Sequence, residues 1–163
     1  MSIDVQRLET VALAPEIAAE MNVKAGVDVF HSVIVYLADG TPIQLEDRLV
    51  LPEFAPSYLA QDFRERSTTD YLQMIAPADQ AEQIIEAGLP NAETKRLLKI
   101  RRGEACLIVF RKTWLGDLLT TYTRFVHPGT RRRLISRTSR PSHDGATETA
   151  SFGLVESAFL HSR

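Results

Sequence analysis

The chain has 163 residues, of which 44% are hydrophobic and 25% are charged, and its formal net charge is −2. These values are typical of globular domains, which excludes an intrinsically disordered chain and a membrane-embedded one. The single cysteine, Cys106, excludes a disulfide framework and a cysteine zinc site. The amino terminus has neither the basic stretch nor the apolar run of a secretory signal, so we expect a cytoplasmic protein.

The first third of the chain predicts a strand, a helix and a long hairpin. Weak alternation predicts a strand over residues 5–11, and Pro15 marks the start of a short helix. Residues 27–37 are apolar on both faces, as in a central strand that is covered on each side. Asp39-Gly40 is a favoured hairpin turn, and the return strand over residues 41–50 alternates between apolar and polar side chains.

The middle of the chain predicts short helices. Two helical pieces, over residues 59–63 and 68–74, follow a loop that contains two prolines. Propensity alone favours a helix over residues 79–87. Asn91 is a suitable N-cap for a further helix that ends near Lys99.

The last part of the chain predicts a second hairpin and a tail. Strands over residues 106–115 and 118–127 flank a Gly-Asp turn, and residues 132–135 can add a short last strand. Two hairpins separated by helices predict an antiparallel sheet with helices packed on it, an α+β fold. From residue 138 the composition is that of a linker, so residues 138–163 are expected to form a flexible tail with a brief apolar segment over 152–160.

Charge is unevenly distributed along the sequence. Residues 1–60 contain nine Asp/Glu and three Lys/Arg, whereas residues 101–140 contain ten Lys/Arg and two Asp/Glu, including Arg131-Arg132-Arg133. Such a run can contact phosphates or an acidic partner, but arginines on a solvated strand and tail give the same pattern. With a sequence pI of 6.1, the chain is not predicted to bind nucleic acid by itself.

Motifs for catalysis are missing from the sequence. It has no glycine-rich phosphate loop, no histidine pair at metal spacing and no serine elbow, so we expect no catalytic residues, no metal site and no cofactor. The polar face of the first hairpin is more informative, because Gln44, Glu46 and Arg48 project from one side of a strand. This face is either bare to solvent, or covered by residues 52–75 so that it lines a cavity for a small polar molecule.

Several segments resemble the effector-binding (UTRA) domain of GntR-type bacterial transcription regulators. They are DGTPIQLEDR at residues 39–48, TKRLL at 94–98, GEACL at 103–107 and RKTW at 111–114. PIQLEDR within the first segment, and HPGTR at residues 127–131, are most similar to the subgroup of histidine-utilisation repressors. The similarity covers about residues 5–137.

The resemblance implies a chorismate-lyase-like fold for a UTRA domain over residues 1–137, with a six-stranded antiparallel sheet. It also implies that residues 79–87 form a strand, and we follow it because tertiary context often overrides propensity. Domains of this kind form homodimers and bind a small effector, which for this subgroup is urocanate. DNA is read by an N-terminal winged helix-turn-helix domain that this sequence lacks, so we expect DNA contact only through such a domain and no membrane partner.

Matching the family motif residue by residue implies a set of ligand contacts. Glu46 matches an acidic contact, and Ser67 and Thr69 match groups that hold the anionic end of the ligand. His127 occupies a position where relatives often have tyrosine at the end of a late strand, and it is a further candidate.

Two more features bear on the effector. Ile34 and Tyr36 stand where sugar-phosphate-responsive relatives have arginine, which argues against a phosphorylated sugar, and Tyr36 suits stacking on a flat ring. Arg48 and Arg111 are candidates to hold a carboxylate, although Arg111 can equally be structural. We therefore expect a sensor and not an enzyme. The alternatives are a chorismate-lyase-like enzyme, which needs an arginine pair and a general acid, and a dimerisation module without a ligand.

Overall fold

The computed structural model describes residues 1–135, which form a six-stranded antiparallel sheet with short helices, as the sequence predicts. The strands are β1 (Ser2–Ala12), β2 (Asp28–Ala38), β3 (Thr41–Val50), β4 (Gln80–Gly88), β5 (Cys106–Leu115) and β6 (Leu118–Pro128). The helices are α1 (Pro15–Met21), α2 (Thr68–Ile75) and α3 (Ala92–Leu98), with a 3₁₀ turn at Tyr58–Ala60. The expected boundary at residue 137 and the expected tail with its apolar segment lie outside the described residues.

The sheet consists of two three-stranded halves. Its strand order is β1-β2-β3-β6-β5-β4, so β1 to β3 form one half and β4 to β6 form the other. The halves meet where residues 45–50 pair with residues 121–126. Each half contains one of the two predicted hairpins, and positive φ angles at Gly40 and Gly116 allow the tight turns.

Strand β4 confirms the expectation taken from the family over the one taken from propensity. All nine of its residues are in register with β5, from Gln80 opposite Trp114 to Gly88 opposite Cys106. The backbone hydrogen bonds of this ladder stabilise an extended conformation that local preference alone does not favour. β4 ends the sheet, so its outer side forms an edge.

Helices and loops cover both faces of the sheet. On the face that carries Glu46, called here the front face, Tyr58 and Phe63 from the segment 52–75 pack against Ile34. On the opposite, back face, Met21 of α1 and Leu98 of α3 belong to two further apolar clusters. The prediction of a central strand covered on both sides is therefore confirmed for β2.

Two elements differ from the sequence prediction. The piece expected over residues 59–63 is only the 3₁₀ turn, and residues 132–135 make single pairings at Arg132 and Ile135 in place of a continuous strand. None of the helices in residues 1–135 is long and apolar enough to cross a membrane.

Candidate functional site

The polar face of the first hairpin is buried. Gln44, Glu46 and Arg48 are only 8%, 1% and 5% exposed. Thr68 and Thr69 of the segment 52–75 contact Glu46 and Arg48, so the alternative of a bare solvated face is wrong. Charged side chains are rarely buried without partners, because desolvation disfavours the charged form. The partners of Glu46 and Arg48 therefore determine what this face can do.

Both carboxylate oxygens of Glu46 accept hydrogen bonds from the protein. Oε1 accepts from Nε of Arg48 at 2.8 Å and from the hydroxyl of Thr68, while Oε2 accepts from the hydroxyl of Tyr36 at 3.2 Å. Burial and the nearby carboxylate raise the pKa of Tyr36 above its ordinary value, so this hydroxyl keeps the proton that it donates. Glu46 thus joins three side chains of the protein through hydrogen bonds, and its charged partner among them is Arg48.

Arg48 is held in one orientation by its neighbours. Its Nη2 donates to the hydroxyl of Thr69 at 3.1 Å, and its guanidinium carbon lies 5.7 Å from the ring centre of Phe125. Burial alone would lower the pKa of Arg48, but the Glu46 carboxylate outweighs burial and holds this pKa above its ordinary value. Arg48 is therefore a fixed, permanently charged donor.

The guanidinium of Arg48 forms part of the wall of a cleft of about 370 Å³ on the front face. The cleft lies between α2, the segment that leads into β4, and the strands β5 and β6. Its polar lining includes Arg48, Thr69, Asp79, Arg111, Thr113 and Thr121. Two guanidinium groups and several hydroxyls in one cleft can bind an anion, and the volume suits a small metabolite.

Strands from both halves of the sheet position this lining. Arg48 and Arg111 face the same side of the sheet, because both lie opposite Thr123 of the intervening strand β6. Next to them, the hydroxyl of Thr113 is 2.6 Å from the hydroxyl of Thr121. One cation of the cleft therefore comes from each half of the sheet.

Comparison with known protein families matches residues 1–133 to the UTRA domain. The chain belongs to the UTRA domain family. The histidine utilization repressor of Pseudomonas putida is 42% identical over 139 residues, which cover 85% of this chain and 56% of the relative. That of Klebsiella aerogenes is 38% identical over 120 residues, which cover 74% of this chain and 50% of the relative. This UTRA domain thus spans about half the length of these relatives.

Solved structures confirm the expected fold of this UTRA domain. The C-terminal domain of the histidine utilization repressor from Pseudomonas syringae pv. tomato has a TM-score of 0.81 and 39% identity, covering 85% of this chain and 99% of that one. The effector-binding domain of the Bacillus subtilis trehalose repressor has a TM-score of 0.77 and 19% identity, covering 87% and 100%, and at that identity it shows the fold alone. The resemblance to the histidine-utilisation subgroup is also confirmed.

The cleft of the UTRA domain brings together three of the seven predicted contact residues: Arg48, Thr69 and Arg111. Glu46, which does not line it, accepts from Arg48, and Tyr36 in turn donates to Glu46. Ser67 is the N-cap of α2, where its hydroxyl accepts from the backbone N–H of Asp70 at 3.0 Å.

His127 lies in the half of β6 farther from the cleft. It is 4% exposed, and its ring stacks on Phe125 with 6.4 Å between ring centres. Burial and the positive charge of Arg132 lower the pKa of His127 to about 4. The imidazole is therefore neutral at physiological pH and belongs to the packed interior of the UTRA domain.

Sequence reasoning missed several other polar residues of the cleft, among them Asp79, Thr113 and Thr121. The Gly-Asp turn alone predicts Thr113 opposite Thr120, and a register shift between Thr113 and Trp114 places Thr113 opposite Thr121 instead, so the sequence carried no direct signal for this pair. Asp79 had no signal either. It precedes β4, which propensity alone interprets as helical, and the turn of the backbone at this point brings it to the cleft.

Proposed function

We propose that this chain is the effector-sensing part of a bacterial transcriptional repressor of histidine utilisation, and that its effector is urocanate or a closely related carboxylate. The observation that carries the proposal is the cleft on the front face, which joins Arg48 and Arg111 with hydroxyl donors. The names of the relatives, at 38–43% identity, support the same physiological context.

In this proposal Arg48 and Arg111 hold the carboxylate of the effector. A guanidinium matches the planar geometry of a carboxylate, and charge-assisted hydrogen bonds are shorter and stronger than neutral ones. Arg48 needs no rearrangement to bind, since Glu46 and Thr69 already fix its orientation. Preorganisation of this kind lowers the entropic cost of binding. Glu46 and Tyr36 then act as positioning residues.

The imidazole end of the effector would lie toward Asp79. This residue is the one carboxylate among the described residues that line the cleft, and one of its oxygens accepts from the backbone N–H of Gly116 at 2.8 Å. Its remaining acceptor capacity suits an imidazole N–H. A flat molecule with a carboxylate at one end and an N–H donor at the other fits this polarity.

Regulation is favoured over catalysis. A lyase acting on a ring carboxylate needs a general acid shielded from water next to its arginine pair. Asp79 is exposed, and the hydrogen-bonding capacity of Glu46 is used by Arg48, Thr68 and Tyr36. The relatives are named repressors, which supports the same choice. Sequence-specific DNA reading is assigned to a winged helix-turn-helix domain outside these 163 residues.

The proposal includes a homodimer. The outer side of β4 has no strand partner within residues 1–135. Ile84 and Ile85 of this strand, whose side chains point to opposite faces of the sheet, are 50% and 46% exposed. β4 also lacks the lysines and prolines that usually protect an exposed edge. A second copy paired along β4 would form hydrogen bonds with the free backbone groups of this edge and cover part of both isoleucines.

Isothermal titration of the full chain with urocanate, histidine and imidazole propionate tests the effector. We expect urocanate to bind most tightly, with a Kd near 1 μM, about −8 kcal/mol. Histidine brings an ammonium group towards two arginines, and imidazole propionate loses the rigid double bond, so both should bind more weakly. Absence of heat and of any thermal shift with all three compounds would overturn the proposal.

Two variants on neighbouring residues provide a matched comparison. Arg111→Met removes a cation from the cleft, whereas Lys112→Met removes one from the back face, where Lys112 pairs with Glu20 at 2.7 Å. A charge-assisted hydrogen bond contributes about 1.5–3 kcal/mol, so Arg111→Met should weaken urocanate binding roughly 10- to 150-fold. Lys112→Met should leave binding within about twofold, and equal effects of the two variants would mean that the effector binds elsewhere.

A further inference from the structure

A cluster of cationic side chains lies at the end of the sheet opposite to the cleft. We call it the basic corner, and it consists of Lys95, Arg96, Lys99, Arg101, Arg102, Arg131, Arg132 and Arg133. These residues come from the last turns of α3, the loop after α3 and the segment after β6. The corner adjoins the start of β5 near Cys106, whereas the cleft lies near Thr113, so the two are about 24 Å apart along this strand.

Main-chain contacts hold the separate segments of the basic corner together. Nη1 of Arg131 donates to the carbonyls of Leu98 and Pro42 at 2.6 and 2.7 Å, and Nη2 donates to the carbonyl of Lys99 at 3.0 Å. The backbone N–H of Gly129 donates to the carbonyl of Ala105 at 2.9 Å. Arg131 therefore has a structural role at the C-terminus of α3, and it fixes the position of its neighbours.

Charge is strongly concentrated at this corner. Residues 95–104 and 129–133 contain eight cations and one carboxylate, a net charge of +7 in a chain whose total is −2, which leaves −9 for all other residues. The carboxylate, Glu104, already accepts from the hydroxyl of Thr130 and from the backbone N–H of Arg101 at 3.1 Å. A local field of this size attracts polyanions even though the protein as a whole is acidic.

Most of these cations are available for a partner. Six of the eight are exposed, and none of the six takes part in an ion pair within residues 1–135: Lys95, Arg96, Lys99, Arg101, Arg102 and Arg133. Some of them surround an open depression lined by Gly103, Ala105 and Gly129. Small residues there let an extended anionic chain approach the surface closely.

The chemistry of the corner favours a nucleic acid over a protein partner. None of the large apolar side chains exposed in residues 1–135 lies within 95–104 or 129–133. Protein interfaces usually contain an apolar anchor at their centre, whereas phosphate backbones are bound by arginine and lysine without one. We propose that the basic corner binds the sugar–phosphate backbone of duplex DNA without reading its sequence.

This contact goes beyond effector sensing, because it gives the sensory domain its own affinity for DNA. It replaces the expectation, drawn from the overall pI, that the chain does not bind nucleic acid by itself, since the local charge of the basic corner is opposite to that of the whole chain. Each phosphate that a cation neutralises releases counterions, so the logarithm of the binding constant falls with the logarithm of salt concentration by about 0.9 per contact. The slope of the logarithm of the binding constant against the logarithm of salt concentration therefore gives the number of phosphate contacts. Removal of two contacting arginines should reduce the slope by about 1.8.

Fluorescence anisotropy tests the proposal with the full chain and a labelled duplex of arbitrary sequence, between about 50 and 200 mM NaCl. Over that range, binding by the unchanged chain should weaken about twelvefold more than binding by Arg101→Ala/Arg102→Ala. The matched control is Arg64→Ala/Arg66→Ala, which removes two exposed arginines near α2, outside the corner. The control should keep the slope of the unchanged chain.

Three outcomes would overturn the proposal: no salt-dependent binding, the same change of slope in both double variants, or tighter binding of a polyglutamate peptide than of DNA at equal ionic strength. The third would indicate an acidic protein partner. Urocanate titration of the same variants separates this proposal from the proposed function, because the cleft lies far from the corner and its affinity should not change. A chain that binds DNA but no effector would contradict only the proposed function.

Discussion

The buried pair of Glu46 and Arg48 predicts strong energetic coupling between the two residues. Their side chains are almost fully buried, and Nε of Arg48 lies 2.8 Å from Oε1 of Glu46. Glu46→Gln removes one charge with little change of shape, and Arg48→Met removes the other. Each single variant leaves its former partner charged, buried and uncompensated, whereas the double variant removes both charges.

The magnitude follows from Coulomb's law. Two unit charges about 4 Å apart attract each other by about 4 kcal/mol at an effective dielectric constant of 20. Removal of one partner of a buried pair typically costs about 3–5 kcal/mol, and replacement of both is often close to neutral. We therefore expect each single variant to lose about 3 kcal/mol of unfolding free energy, and the double variant to lose at least 2 kcal/mol less than the sum of the two.

Urea unfolding at pH 7, followed by the fluorescence of the single tryptophan, Trp114, measures these differences. A control cycle uses Asp47→Asn and Arg124→Met on the back face, where the pair is separated by 3.0 Å but both side chains are 31% exposed. Solvent screening should limit that coupling to about 1 kcal/mol or less. Additivity of the Glu46 and Arg48 variants within about 0.5 kcal/mol would refute the reasoning, because it would mean that the pair has no role in holding Arg48.

Two further predictions concern His127 and the edge strand. Because the pKa of His127 is lowered to about 4, proton uptake favours the unfolded chain as the pH falls from about 6.5 towards 4. The free energy of unfolding should therefore drop by about 2 kcal/mol between pH 7 and pH 5. His127→Gln should remove this part of the pH dependence. An unchanged pH dependence in that variant would contradict the burial argument. Ile84→Lys/Ile85→Lys should turn the proposed dimer into monomers in sedimentation velocity, whereas Leu89→Lys, at an exposed residue beyond the strand, should not. A monomeric unchanged chain would disprove the proposed interface.

Local sequence signals were sufficient for most of the sheet. Alternation and the turn residues identified both hairpins because hairpin register depends on residues close in the chain. β4 shows the limit of local reasoning, since its extended conformation depends on pairing with β5, and only the family resemblance predicted it.

The candidate site was predictable in part for the same reason. The alternation of β3 placed Glu46 and Arg48 on one face, and the sequence left open whether that face was covered. The partners of Glu46 come from Thr68, 22 residues away, and Tyr36, 10 residues away, so their hydrogen bonds depend on tertiary packing. The structural role of Arg131 was likewise not predicted from the basic run and the HPGTR segment that contain it, because its carbonyl acceptors come from two distant segments.

The division of the sheet into two halves has a consequence for the order of events during synthesis. Arg48 and Arg111 belong to different halves, and the strands of these halves pair through the ladder between residues 45–50 and 121–126. Such a distant pairing closes slowly compared with a hairpin. A nascent chain that has not yet released β6 from the ribosome therefore has not assembled the cleft between Arg48 and Arg111, however complete its first hairpin is.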